Sequence, residues 1–95
     1  MAINRTEATA LLREHMARTR KRSYSDLLGL RGSPENGAIV GPSGASYQIE
    51  TQVFWDDRRV GTLRVLVSID DGGLTAFIPM TEDFILSEDG SFVGE

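Results

Sequence analysis

The stretch YQIETQVFWDD, residues 47–57, decides the fold. Tyr47, Ile49, Thr51, Val53 and Trp55 fall on one side of it, and Gln48, Glu50, Gln52, Phe54 and Asp56 on the other. Successive side chains of a strand point to opposite faces, so a period of two reads as a strand with one face on a core. Residues 62–70, TLRVLVSID, repeat the pattern with Leu63, Val65, Val67 and Ile69 inward and Thr62, Arg64, Leu66 and Ser68 outward. A third long strand puts Leu74, Ala76, Ile78 and Met80 on the inner face. Between these two, Asp70-Asp71-Gly72-Gly73 reads as a hairpin with Asp71-Gly72 as a two-residue type I′ loop. That loop places Val67 opposite Ala76, Val65 opposite Ile78 and Leu63 opposite Met80. A one-residue slip would set apolar against polar faces. Phe84–Leu86 and Ser91–Val93 read as short strands around a Glu88-Asp89-Gly90 turn.

Upstream the period becomes helical. Ala8, Leu11, Leu12, His15, Met16 and Thr19 form one stripe, with Arg13, Glu14, Arg18 and Lys21 opposite. Asn4 and Glu7 fit a capping box. Ser23 caps a second short turn, Tyr24–Leu28, closed by Gly29 in the left-handed conformation that glycine allows. Residues 31–46 are rich in Gly, Pro and Ser and read as a loop. Asn36-Gly37 is a turn dipeptide there, Ala38–Val40 a short strand, and Gly41-Pro42-Ser43-Gly44 the turn into residue 47.

The expected fold class is α+β: one domain over residues 1–95, with an N-terminal helix on one face of an antiparallel meander of about four to six strands. Residues 1–30 form the helical layer, 31–46 the loop with its short strand, and 47–95 the meander. Ninety-five residues suffice for one core and not for two. With 40% apolar and 25% charged residues the composition is globular. There is no cysteine, which removes disulfides, thiolate metal sites and a cysteine nucleophile. No apolar run reaches the roughly 20 residues of a membrane span. The first 22 residues carry charges throughout and no signal-peptide core, so the cytoplasm is the expected location and the glycosylation pattern Asn4-Arg5-Thr6 carries no weight.

The register leaves a feature outside the core. Phe54, Leu66 and Phe77 line the sheet face away from the helix, Leu66 directly opposite Phe77. Each would contribute about 1.5–3 kcal/mol if fully covered. The candidates for covering them are Phe92-Val93, the 31–46 loop, a second copy of the chain, and a different protein. The stripe and the neighbouring corner Trp55, Asp56, Asp57 are therefore the candidate partner surface.

Charge is divided. Residues 1–31 carry +4 and residues 32–95 carry −8. The basic run Arg18, Arg20, Lys21, Arg22 is the candidate for phosphate contacts. It has no interleaved aromatics, it sits where a helix dipole favours cations, and the whole chain is acidic, so nucleic acid is the lesser expectation. The acid pairs Asp56-Asp57, Asp70-Asp71, Glu82-Asp83 and Glu88-Asp89 read as turn residues, the first and third at one end of the sheet and the others at the opposite end. None matches a calcium loop. His15, the single histidine, reads as a core-rim residue. Gly41-x-x-Gly44 and Gly72-Gly73 open no helix and are not phosphate cradles. No catalytic, cofactor-binding or metal-ligating residue is assigned.

The segments Ser23-Tyr24-x-Asp26-Leu27-Leu28, Tyr47-Gln48-Ile49-Glu50 leading to Val53-Phe54-Trp55-Asp56-Asp57, Ser68-Ile69-Asp70-Asp71-Gly72-Gly73 and Asp89-Gly90-Ser91-Phe92-Val93-Gly94-Glu95 together resemble a family of small uncharacterised bacterial proteins. The resemblance spans most of the chain and implies a small α+β fold of bacterial origin. It transfers no catalytic residue. The functional expectation is a non-enzymatic interaction module, adaptor-like or immunity-like. The alternatives are a small-ligand binder or enzyme, and nucleic-acid binding through residues 18–22.

Overall fold

The computed structural model describes residues 5–70 and 80–95. Helix α1, Arg5–Thr19, comes first, followed by α2, Tyr24–Leu28. Four strands follow: β1, Glu35–Val40; β2, Ser46–Asp57; β3, Thr62–Asp70; and β4, Met80–Leu86. They form one sheet in sequence order, each antiparallel to the next. Among the described residues no helix is long and apolar enough to cross a membrane.

The helical stripe is buried as its spacing predicts. Ala8, Leu11, Leu12, Met16 and Thr19 face inward, with His15 at the margin. They share one core with Tyr47, Ile49 and Val53 of β2, Leu63, Val65, Val67 and Ile69 of β3, and Phe84 and Leu86 of β4. Two tyrosines tie the helices to the turns at opposite ends of β2. Tyr47 donates its hydroxyl to Glu7 Oε1 at 2.8 Å, and Tyr24 donates to the Gly61 carbonyl at 2.6 Å. Glu7 also accepts the Ser43 N–H at 2.9 Å and the Ser43 hydroxyl at 2.7 Å, so it clasps the β1–β2 turn. Gly41 makes that approach possible, since a Cβ there would stand 2.5 Å from the Glu7 carboxyl carbon.

Four expectations need correction. The β3–β4 register differs by six residues. Leu63 faces Leu86, Val65 faces Phe84, Val67 faces Glu82, and Leu66 faces Asp83; Met80 faces Ile69. The Asp71-Gly72 loop and Phe77 lie outside the described residues, as does the Asn4 cap. Second, Asn36-Gly37 is not a turn but lies inside β1, paired with Glu50 and Ile49, so the strand expected at Ala38–Val40 starts at Glu35 and joins the sheet. Third, Gly29 is right-handed at φ −65°; the left-handed glycine is Gly32, at φ 77°. Fourth, Ser91–Val93 is not a strand. Phe92 makes an isolated bridge to Leu86, across a turn in which Gly90 has φ 90°.

Candidate interaction surface

The core shared with α1 and α2 lies on one side of β2, β3 and β4. The other face presents Gln48, Glu50, Gln52 and Phe54 from β2, Arg64, Leu66 and Ser68 from β3, and Thr81, Asp83 and Ile85 from β4. Pairing sets Phe54 opposite Arg64 and Arg64 opposite Ile85, one row across three strands. Leu66 sits diagonally beside it, opposite Gln52 and Asp83. Phe54 is 41% exposed, while Leu66 and Ile85 are half-buried.

Arg64 stands in the middle of these apolar groups. Its guanidinium pairs with Asp83 and lies 3.4 Å from Asp56 Oδ1. Asp56 reaches it because the register shifts between Trp55 and Asp57. A bulge of this kind re-aims a side chain. The other Asp56 oxygen accepts the Thr62 hydroxyl at 3.1 Å. Asp57 serves the turn, its Oδ1 accepting the Arg59 N–H at 3.0 Å. The site is thus an apolar patch around an Asp–Arg–Asp bridge.

Trp55 does not join that patch. It lies on the inner face, half-buried against the core, with the Arg31 guanidinium 4.8 Å from its ring centre. Its Nε1–H is buried and has no hydrogen-bond acceptor among the described residues. The candidate surface therefore divides: Phe54, Leu66 and Asp56 belong together, Asp57 belongs to the turn, and Trp55 faces the opposite way. Phe54 stays 41% exposed with both proposed covers from the chain in place. Phe92 turns inward and meets Phe84 edge-to-face, ring centres 5.5 Å apart. The 31–46 segment widens the sheet as β1 and does not lie over it.

The basic run is largely engaged within the chain. Arg18 bonds Glu14 at 2.9 Å. Arg20 pairs with Glu95 and lies 4.0 Å from the Phe92 ring centre and 5.3 Å from that of Phe84. Arg22 reaches Asp26 at 2.6 Å and Glu35 at 2.8 Å. Lys21 is exposed.

The acid pairs fall differently from expectation, because β4 is placed six residues away. Glu88 reaches Gly61, so the Glu88-Asp89 turn shares an end with Asp56-Asp57, while Glu82 and Asp83 lie mid-strand. Among the described residues no three His, Asp or Glu groups gather as a metal site would require.

Sequence reasoning missed the pocket that His15 borders. A pocket of about 220 Å³ lies between α1 and β1, lined by His15, Glu35, Asn36, Gly37, Ile49 and Thr51. His15 Nε2 is 3.2 Å from the Thr51 hydroxyl. Burial, and then the nearby Arg18 charge, hold the imidazole below the ordinary histidine range; Glu35 acts in the opposite sense and Arg22 in the same one. The available signal was Gly37, since a glycine inside a strand marks missing side-chain volume. Comparison with family models, curated proteins and solved structures finds no match.

Proposed function

We propose that this chain is a non-catalytic protein-interaction module, adaptor-like or immunity-like, whose contact surface is the sheet face opposite the helices. The observation that carries this reading is Phe54, 41% exposed beside an Arg64 that is already ion-paired and fixed in place. Interface hot spots favour aromatic and arginine anchors surrounded by groups that exclude water, and Leu66 and Ile85 supply such surroundings. The other readings have less support. Arg18, Arg20 and Arg22 each meet an acid of the same chain before any phosphate. In the pocket beside His15, the imidazole is engaged by Thr51 and the Glu35 carboxylate by Arg22.

The test is an affinity capture with wild type, Phe54→Asp, Arg64→Ala and a helix-surface control, Ala17→Glu, at an exposed position of α1. All four are expected to fold alike by circular dichroism. A partner held by wild type and the control should be weakened at least about 10-fold by Phe54→Asp, as hot-spot truncations are. Equal retention by Phe54→Asp would dismiss the outer face as the contact surface.

A further inference from the structure

The two edges of the sheet are finished differently. At β4 the C-terminal residues return along the edge: the Val93 N–H donates to the Ile85 carbonyl at 2.8 Å, and Phe92 bridges Leu86. At β1 nothing among the described residues lies alongside. Its residues are exposed except Ile39, which is half-buried, and Val40 is 65% exposed. Edge strands are ordinarily protected by lysine, proline, a bulge or a cover. From Asn36 to Val40 there is no charge and no proline, and the β1–β2 register runs without a shift. Pro34 and Pro42 stand just outside the strand and limit the open edge to its own length.

We infer that β1 pairs antiparallel with β1 of a second copy of this chain, in register about Ala38, to make one continuous sheet. The strand is complementary to itself in that register. A two-fold axis normal to the sheet keeps both helical layers on the same side and sets Ala38 opposite Ala38, Gly37 opposite Ile39, and Asn36 opposite Val40. Gly37 and Ile39 lie on the inner face, paired with Ile49 and Tyr47. Ile39 of each copy therefore comes to lie over Gly37 of the other, where a side chain is missing, and closes the mouth of the pocket beside His15. Exposed Val40 gains a cross-strand neighbour. No like charges meet, since Glu35 falls beyond the paired segment. Centring the axis on Gly37 instead would set Glu35 against Ile39 and leave Val40 unpaired. The contact is isologous, each copy giving and receiving the same groups.

Five paired residues of the six in β1 are fewer than the roughly 20–30 residues a side of a stable interface, so the dimer should depend on concentration. Light scattering on the intact chain should show a mass rising from 10.4 kDa toward twice that value as concentration approaches about 1 mM, the scale of a weak association. The chain has no cysteine, so Ala38→Cys reports on the axis directly. Directly opposed antiparallel residues have Cα atoms about 4.5–5.5 Å apart, within disulfide reach. Ala38→Cys should cross-link at least about 10-fold faster than Ala17→Cys on exposed α1, because proximity and not thiol chemistry differs between them. Ala38→Lys should keep its circular dichroism spectrum and remain at 10.4 kDa. A wild-type mass that never rises, together with equal cross-linking of the two cysteine variants, would overturn the proposal. So would a dimer that survives Ala38→Lys but is lost in Phe54→Asp, which would assign self-association to the outer face.

Discussion

Gly29 ends α2 with φ −65° and ψ −17°, a conformation any residue adopts. A Cβ there would sit 3.4 Å from the Asp26 carbonyl oxygen, at the near limit of ordinary contact. Gly32, three residues on, has φ 77° and open space around it. The two therefore respond oppositely to the same change. Gly29→Ala removes freedom from the unfolded chain at little native cost and should be neutral or stabilising, by up to about 1 kcal/mol. Gly32→Ala forces an L-residue into the left-handed region and should cost ~1–2 kcal/mol. Urea denaturation of the two variants measures both. Loss of stability in Gly29→Ala comparable to that in Gly32→Ala would contradict the assigned cap geometry. Read as letters, both glycines qualify as helix terminators; only the backbone angle tells which one uses the special conformation.

At the scale of elements, alternation proved informative about faces and silent about register. Leu63, Val65, Val67 and Ile69 are each fully buried, as the period of two requires. Yet β4 begins at Met80. An odd slip turns apolar side chains outward, but a slip of six residues keeps every one on its own face. The hairpin read from Asp71-Gly72 and the observed pairing thus keep the same faces, although the observed one sets Glu82 opposite Val67. What separates them is volume: Phe84 and Leu86, both 3% exposed, bring an aromatic and a long aliphatic side chain against Val65 and Leu63. The second half of β1 was legible, since Ala38–Val40 reads as a strand and lies within it, whereas its start was obscured because Asn36-Gly37 carries turn chemistry yet pairs with Glu50 and Ile49. The candidate surface was legible at Phe54 and Leu66; Ile85 and the Asp56–Arg64–Asp83 bridge were not, because they depend on the β4 register and on the bulge at Trp55. A double variant checks that register. Ser68 and Thr81 are direct partners on the outer face. In a chain without cysteine, Ser68→Cys/Thr81→Cys should close an intramolecular disulfide in air, detectable by mass and by slower unfolding. A double variant that stays reduced, or links only between molecules, would displace β4 from this pairing.

At the scale of the molecule, the division into a basic helical layer and an acidic remainder turns inward. Arg20 meets Glu95, Arg22 meets Glu35, and Arg13 lies 3.6 Å from Glu82, so part of the opposition ties the helices to the sheet and tail. The same wiring fixes how stability responds to acid. Glu7 is held below the ordinary glutamate range by the Ser43 hydroxyl, then the Ser43 N–H and the Tyr47 hydroxyl. Asp26 is lowered by Arg22, Glu95 by Arg20, and Asp89 by Ser91. His15 is lowered chiefly by burial. For all five the unfolded chain binds protons more readily than the folded one, so stability rises with pH across each titration. The carboxylate contribution is complete above the unfolded values of about 3.9–4.3 and is lost as pH falls through the lower folded ones. The His15 contribution is complete above about pH 6.5 and is lost below it as the imidazole must charge. Urea midpoints should therefore be level above neutrality, decline in a first step on the acid side of about pH 6.5, and decline further below about pH 4.3. His15→Gln should remove the first step and leave the second. Glu7→Gln should shrink the second and leave the first, since its partners in the β1–β2 turn are neutral hydroxyl and amide groups that do not titrate there. A midpoint that climbs on acidification from pH 7 would mean the imidazole is held charged in the fold, and the burial of His15 against Thr51 would have to be given up.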